Sequence, residues 1–142
     1  MQNLLGVDVG TVRVGVAILG PDSLRAVPLG IYKRAQKVAE QAILTLIQRH
    51  GIKKLVVGLP LNDKSLLTQQ CEDVIQFIRR LGRRTTVEVV FVDEYLSTEE
   101  VKQSSKRKVG EPVDDLSAAY LLQEYLDGKV VPFELRTIRA PR

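Results

Sequence analysis

The chain has 142 residues, with 21 Lys plus Arg against 17 Asp plus Glu, a formal net charge of +4, one His, one Cys and no Trp. That length suits a single domain, which buries roughly 68% of its unfolded surface, and one cysteine excludes both an internal disulfide and a Cys-based zinc site. The lone His50 excludes chemistry that needs two imidazoles, so acid–base or metal work must rest on carboxylates.

In chain order, residues 3–9, 13–19 and 24–31 are short β-type runs separated by Gly10-Thr11 and Gly20-Pro21-Asp22-Ser23, the pattern of an antiparallel meander. Val38, Ala42, Ile43, Leu46 and Ile47 then recur at helical spacing, with His50-Gly51 as the stop. LVVGLP, residues 55–60, is too short for a helix and reads as a buried parallel strand. Leu67, Cys71, Val74, Ile78 and Leu81 form one stripe of a second helix ending at Gly82, and TVEVVFV, residues 86–92, is a further strand. Ser97-x-x-Glu100 has capping-box spacing and opens a shorter helix. Pro112 precedes a final helix over 113–127, apolar almost all round and therefore expected to be buried. The expected fold is α/β, a five-stranded mixed sheet in the order βββαβαβαα, as one domain over residues 1–130 with a basic, disordered tail over 131–142. The N-terminus MQNLLGVDVG has no basic n-region and its apolar run breaks at Asp8, so neither a signal peptide nor a membrane anchor is expected and the cytoplasm is the expected location.

The acids carry the chemistry. Asp8 interrupts the strand LLGVDV at a position that the flanking pattern buries, which costs about 1–3 kcal/mol or more unless a metal ion or basic partner compensates it. The bland alternative turns it to solvent at a hairpin end, satisfied by the amides near Gly10-Thr11. Asp93-Glu94 follows a strand at its carboxyl end, where open α/β sheets place their sites, although Asp93 or Ser97 could simply cap the next helix. Asp114-Asp115 opens the last helix, where an N-cap or a favourable macrodipole position is an equal explanation. Carboxylates drawn from different elements, without His or Cys, suit Mg²⁺ or Mn²⁺ rather than zinc, and pairs of such ions roughly 3.5–4 Å apart drive phosphodiester hydrolysis. Basic residues cluster at Arg79-Arg80-x-x-Arg83-Arg84, which a helix macrodipole explains, at Lys102 with Lys106-Arg107-Lys108, and in the tail at Arg136, Arg139 and Arg142. The second cluster lies between Glu94 and Asp114 and could hold a phosphate backbone. His50 reads as a helix-end residue and Cys71 as core.

Taken together, LLGVDVGTVRVGVA, VVGLPLN, FVDEYLST and VDDLSAAYLLQEYL make the whole chain resemble the YqgF (RuvX) family, whose members have a ribonuclease H-like fold and are described as Holliday-junction resolvase-like proteins or pre-16S ribosomal RNA nucleases. The resemblance implies catalytic, metal-holding acids at Asp8, Glu94 and Asp114, with Asp93 and Asp115 the weaker candidates, and it aligns Arg13 with the family's basic residue after the first turn. Two departures stand out: Tyr95 replaces the arginine that usually follows the glutamate, and the loop after Leu61-Asn62 reads DKSLLT in place of a glycine-containing turn.

The expected activity is therefore that of a metal-dependent endonuclease, a hydrolase of phosphodiester bonds using Mg²⁺ or Mn²⁺. Thr11, Arg13, Lys106, Arg107 and Lys108 would bind nucleic acid, preferentially RNA, with the precursor of 16S rRNA as the specific substrate. Rival expectations are a Holliday junction resolvase acting on structured DNA, a non-catalytic nucleic-acid-binding transcription module, and an ATPase or sugar kinase suggested by Asp-x-Gly-Thr. The last is disfavoured because such proteins close two domains of this size around a nucleotide. A monomer or a homodimer is expected, with no membrane partner.

Overall fold

In the computed structural model, residues 3–19, 25–60, 68–93, 115–130 and 132–133 are described. The turn at Gly10 sets the first hairpin: its N–H donates to the Arg13 carbonyl at 2.9 Å, and β1 (Leu4–Val9) pairs antiparallel with β2 (Arg13–Leu19). The next antiparallel neighbour is β3 (Ala26–Lys33), an edge strand whose register shifts opposite Val16/Ala17. Pro28 is tolerated at this edge because the ladder there does not need its missing N–H. The chain then bends through a single 3₁₀ turn, Ala35–Lys37, in which Gln36 and Lys37 take φ of 58° and 60°. Left-handed backbone costs a side-chain-bearing residue roughly 1–2 kcal/mol, so this bend is held by what surrounds it.

The helix α1 (Val38–His50) stops at Gly51, whose left-handed φ of 59° lets its N–H reach the Ile47 carbonyl, the ending that His50-Gly51 predicts. The β-branched run after it becomes β4 (Lys54–Leu59), buried beyond Lys54 and parallel to β1. Thr68 caps α2 (Gln69–Gly82) by accepting from the Cys71 N–H at 3.2 Å. Cys71, Val74, Ile78 and Leu81 are buried as the stripe requires, joined by Ile75 and Phe77, while Leu67 lies outside the described residues. A second parallel crossover delivers β5 (Glu88–Asp93) beside β4, and α3 (Asp115–Leu126) follows.

The sheet order β3-β2-β1-β4-β5-β6 places β1 and β4 centrally, which accounts for their nearly unbroken apolar sequences. Three antiparallel strands followed by two parallel ones match the sequence reading. A sixth strand, β6 (Pro132–Phe133), pairs antiparallel with β5 in the stretch assigned to the tail. Two residues, one of them proline, are too few to leave a periodic signature.

The alternation of side chains divides the core. Leu5, Val7 and Val9 point with Val14 and Val16 toward α1 and α2, where Ile43, Phe77 and Phe91 fill the larger cluster. On the opposite face Leu4, Ala17, Val56 and Val92 pack with Ala118, Ala119, Leu121 and Leu122 of α3. The covering of α3 is not complete, since Leu116 is 40% exposed, so the all-round apolar pattern overstates its burial. Among the described residues, no helix is long and apolar enough to cross a membrane.

Candidate active site at the carboxyl edge of the sheet

Because β1, β4 and β5 are parallel, their carboxyl ends share one edge of the sheet, together with the start of β2 and the end of β3. Asp8 is the penultimate residue of β1 and is only 2% exposed. Its side chain belongs to the α3 face, in step with Leu4 and Gly6. The solvent-facing orientation of the bland alternative is thereby excluded.

The position of α3 follows from a glycine. A β-carbon on Gly6 would lie 2.9 Å from the Ala118 carbonyl oxygen and 2.9 Å from the Leu122 β-carbon, so the helix rests directly on the strand backbone. Toward the other end, Lys54, the register partner of Leu4, brings its Nζ to 3.4 Å from the Tyr125 hydroxyl. The helix therefore runs antiparallel to β1. At ~3.3 Å per strand residue and ~1.5 Å per helix residue, stepping from Leu4 to Asp8 covers about the same distance as stepping from Tyr125 back to Asp115. The first turn of α3, with Asp115 half-buried in it, consequently stands at the level of Asp8, and the positive end of its macrodipole lies on the same side.

The turn between β1 and β2 is anchored by a residue that the sequence reading passed over. Arg34 donates through its backbone N–H to the Val12 carbonyl at 2.9 Å and through its guanidinium to the Gly10 carbonyl at 2.9 Å. The same guanidinium makes a bidentate pair with Asp73 of α2, at 2.6 and 3.1 Å, and lies 5.1 Å from the centre of the Phe77 ring. One side chain thus ties the turn after Asp8 to the helix layer on the opposite face. Arg34→Ala is expected to lower stability by about 2 kcal/mol, and Asp73→Ala by less because Asp73 is partly solvated and Arg34 keeps its other contacts. Denaturant midpoints of the two variants check this, and the reverse order would refute it.

Of the other predicted residues, Thr11 and Arg13 are exposed on and beside the turn, and Asp93 ends β5 at the same sheet edge. Glu94, Asp114, Lys106, Arg107 and Lys108 lie outside the described residues, as do Tyr95 and the helix expected after Ser97. Among the described residues no three His, Cys, Asp or Glu side chains converge. Cys71 is buried in the other layer and His50 is exposed at the end of α1, as their sequence contexts predict.

A mixed sheet of this order, with an aspartate, the one buried among the described residues, at the carboxyl edge of a central strand, defines a ribonuclease H-like domain. The solved structures agree in fold. Thermus thermophilus RuvC in complex with Holliday junction substrate superposes with a TM-score of 0.57 at 14% identity, over 94% of this chain and 100% of that one. Fowlpox virus resolvase with its Holliday junction DNA gives 0.52 at 13% identity, over 89% and 98%. At the level of sequence, the RuvX family model, described as Holliday junction resolvase, matches residues 2–128. A protein of Sulfurihydrogenibium sp. (strain YO3AOP1) is 36% identical over 133 residues, 89% of this chain and 91% of its own length. One from Moorella thermoacetica is 37% identical over 133 residues, 89% and 95%. Both carry the name "Putative pre-16S rRNA nuclease". The chain belongs to the RuvX family.

Proposed function

We propose that this protein is a metal-dependent endonuclease that hydrolyses phosphodiesters of RNA in the cytoplasm, with the precursor of 16S rRNA as its substrate. The observation that carries this reading is the burial of Asp8 at the sheet edge beneath the first turn of α3. A carboxylate removed from water at a strand's carboxyl end is poorly explained by stability alone, because its desolvation weakens the fold. The names of the curated relatives support the choice of RNA.

The donor set suits a hard divalent cation. Asp8 and the half-buried Asp115 offer oxygen only, and the chain's single His and single Cys are placed elsewhere. Asp8, Glu94 and Asp114 would hold Mg²⁺ or Mn²⁺, with Asp93 and Asp115 as neighbouring acids. When bound, such ions activate water for in-line attack and steady the leaving oxygen. The chain's own part is to fix Asp8 on a rigid strand, while Thr11, Arg13 and the Lys106-Arg107-Lys108 segment hold phosphates beside the scissile one.

Incubation with structured RNA, single-stranded RNA and a four-way DNA junction, each in Mg²⁺, Mn²⁺ or chelator, tests the reading. Metal-dependent cleavage of RNA is expected. Cleavage that persists in chelator defeats the carboxylate mechanism, cleavage confined to the junction moves the substrate to DNA, and binding without cleavage in either metal identifies a non-catalytic module. Solution mass belongs with the junction arm, because resolving two scissile strands calls for a homodimer rather than a monomer. In the RNA arm, replacing Lys106, Arg107 and Lys108 with Gln is expected to flatten the salt dependence of binding by about 0.7 per lost phosphate contact, and an unchanged slope would place the RNA elsewhere.

A further inference from the structure

The edge of the sheet next to Asp8 carries a pair of cations that stability does not explain. Arg13, the first residue of β2, and Lys33, the last residue of β3, are register partners, so their side chains leave the sheet on the same face and side by side. That face is the Asp8 face: Asp8 pairs with Gly15, Gly15 pairs with Ile31, and Arg13 and Lys33 are the next step along their strands. Like charges directly opposite one another in a ladder are destabilising. Both residues are exposed, and among the described residues neither belongs to an ion pair. A lysine on an edge strand can serve to block edge-to-edge pairing, but Arg13 is on the inner strand and adds nothing to that defence.

The ground between the acid and the cations is open in chemical character. Gly15 has no side chain to place between Asp8 and the rim, and Ile31, 44% exposed, offers an apolar contact. Asp8 and Arg13 are diagonal neighbours across the β1–β2 ladder, a spacing of about 7–8 Å that a long side chain can span. Arg34 holds this geometry, since its bonds to Gly10 and Val12 lock the end of β3 onto the turn that precedes Arg13.

The geometry points to Arg13 and Lys33 as a two-cation subsite for the phosphodiester backbone of a nucleic-acid strand, holding a phosphate that neighbours the scissile one on the β3 side, with Ile31 against the attached sugar or base. This deepens the nuclease reading and rests on it for the identity of the scissile phosphate. A polyanion removes the repulsion between the two side chains.

The test separates binding from cleavage. Affinity of the full chain for a labelled single-stranded RNA is measured in chelator over a range of salt, for wild type, Lys33→Gln, Arg13→Gln, the double variant, and Lys53→Gln at the opposite end of the sheet as control. Each subsite substitution is expected to reduce the slope of log affinity against log salt by about 0.7, and the double variant by about 1.4, with the control unchanged. In cleavage assays Lys33→Gln raises KM several-fold and alters kcat less. A wild-type slope in Lys33→Gln overturns the subsite even if RNA is cleaved normally. A reduced slope in an RNA-binding protein that cleaves nothing in either metal keeps the subsite and defeats the nuclease reading instead.

Discussion

Asp8→Asn is expected to lower kcat/KM for phosphodiester cleavage by about 100-fold or more while leaving the protein folded. The side chain is 2% exposed on the central strand, and the amide occupies the same volume without the charge. Loss of a direct ligand exceeds the roughly 10–100-fold that follows from disturbing groups behind a metal site. The variant is expected to stay folded, because the amide keeps the side chain's volume and a neutral group is cheaper to bury than a carboxylate, and circular dichroism without metal checks this. Titration with Mg²⁺ or Mn²⁺ gives a readout independent of turnover. At about 100 times the dissociation constant, binding to the native state adds roughly 2.7 kcal/mol of stability, which the variant should lack. Equal metal-induced shifts in both proteins would place the ion away from Asp8.

Gly6→Ala is expected to destabilise the protein by about 1–3 kcal/mol, a large effect for one methyl group. The added carbon meets a backbone carbonyl and a β-carbon at 2.9 Å, neither of which can swing aside as a flexible side-chain end could. The helix must lift or slide, and in doing so it shifts its first turn relative to Asp8. Activity should therefore fall further than the loss of folded protein accounts for, whereas Gly82→Ala, at a glycine with open space around it, should leave both almost unchanged. Urea unfolding together with turnover at temperatures where each variant is fully folded checks this. A Gly6→Ala protein with wild-type stability would mean that α3 is not seated on β1 as described.

The strand and helix order was legible because turns and periodicity are local signals: Gly10-Thr11, the β-branched run before Pro60, and the stop at His50-Gly51 each announce themselves within a few residues. Asp8 was legible for a related reason, as a charge set inside an apolar strand. What stayed hidden depends on register. Arg34 and Lys33 appear in sequence as an ordinary basic pair after a strand, and only the pairing of Arg13 with Lys33 and the reach of Arg34 to Gly10 give them roles. The seat of α3 was hidden likewise, since a glycine in a strand can mark a bulge, a bend or a close approach, and only the third applies to Gly6. The two-residue strand β6 carries no pattern at all.

The antiparallel seating of α3 also sets an order of assembly. Asp8 is synthesised at the start of the chain, but the helix whose first turn stands at its level is made more than a hundred residues later, after both parallel crossovers. Contacts of such sequence separation close last and slowly. A chain still emerging from the ribosome can thus complete the strand that bears the acid, and even its neighbours β2 and β4, without completing the catalytic edge. On the proposed function, competence to cut is expected only once the fold is nearly whole, so the nascent chain should be inert toward RNA while it is itself being translated.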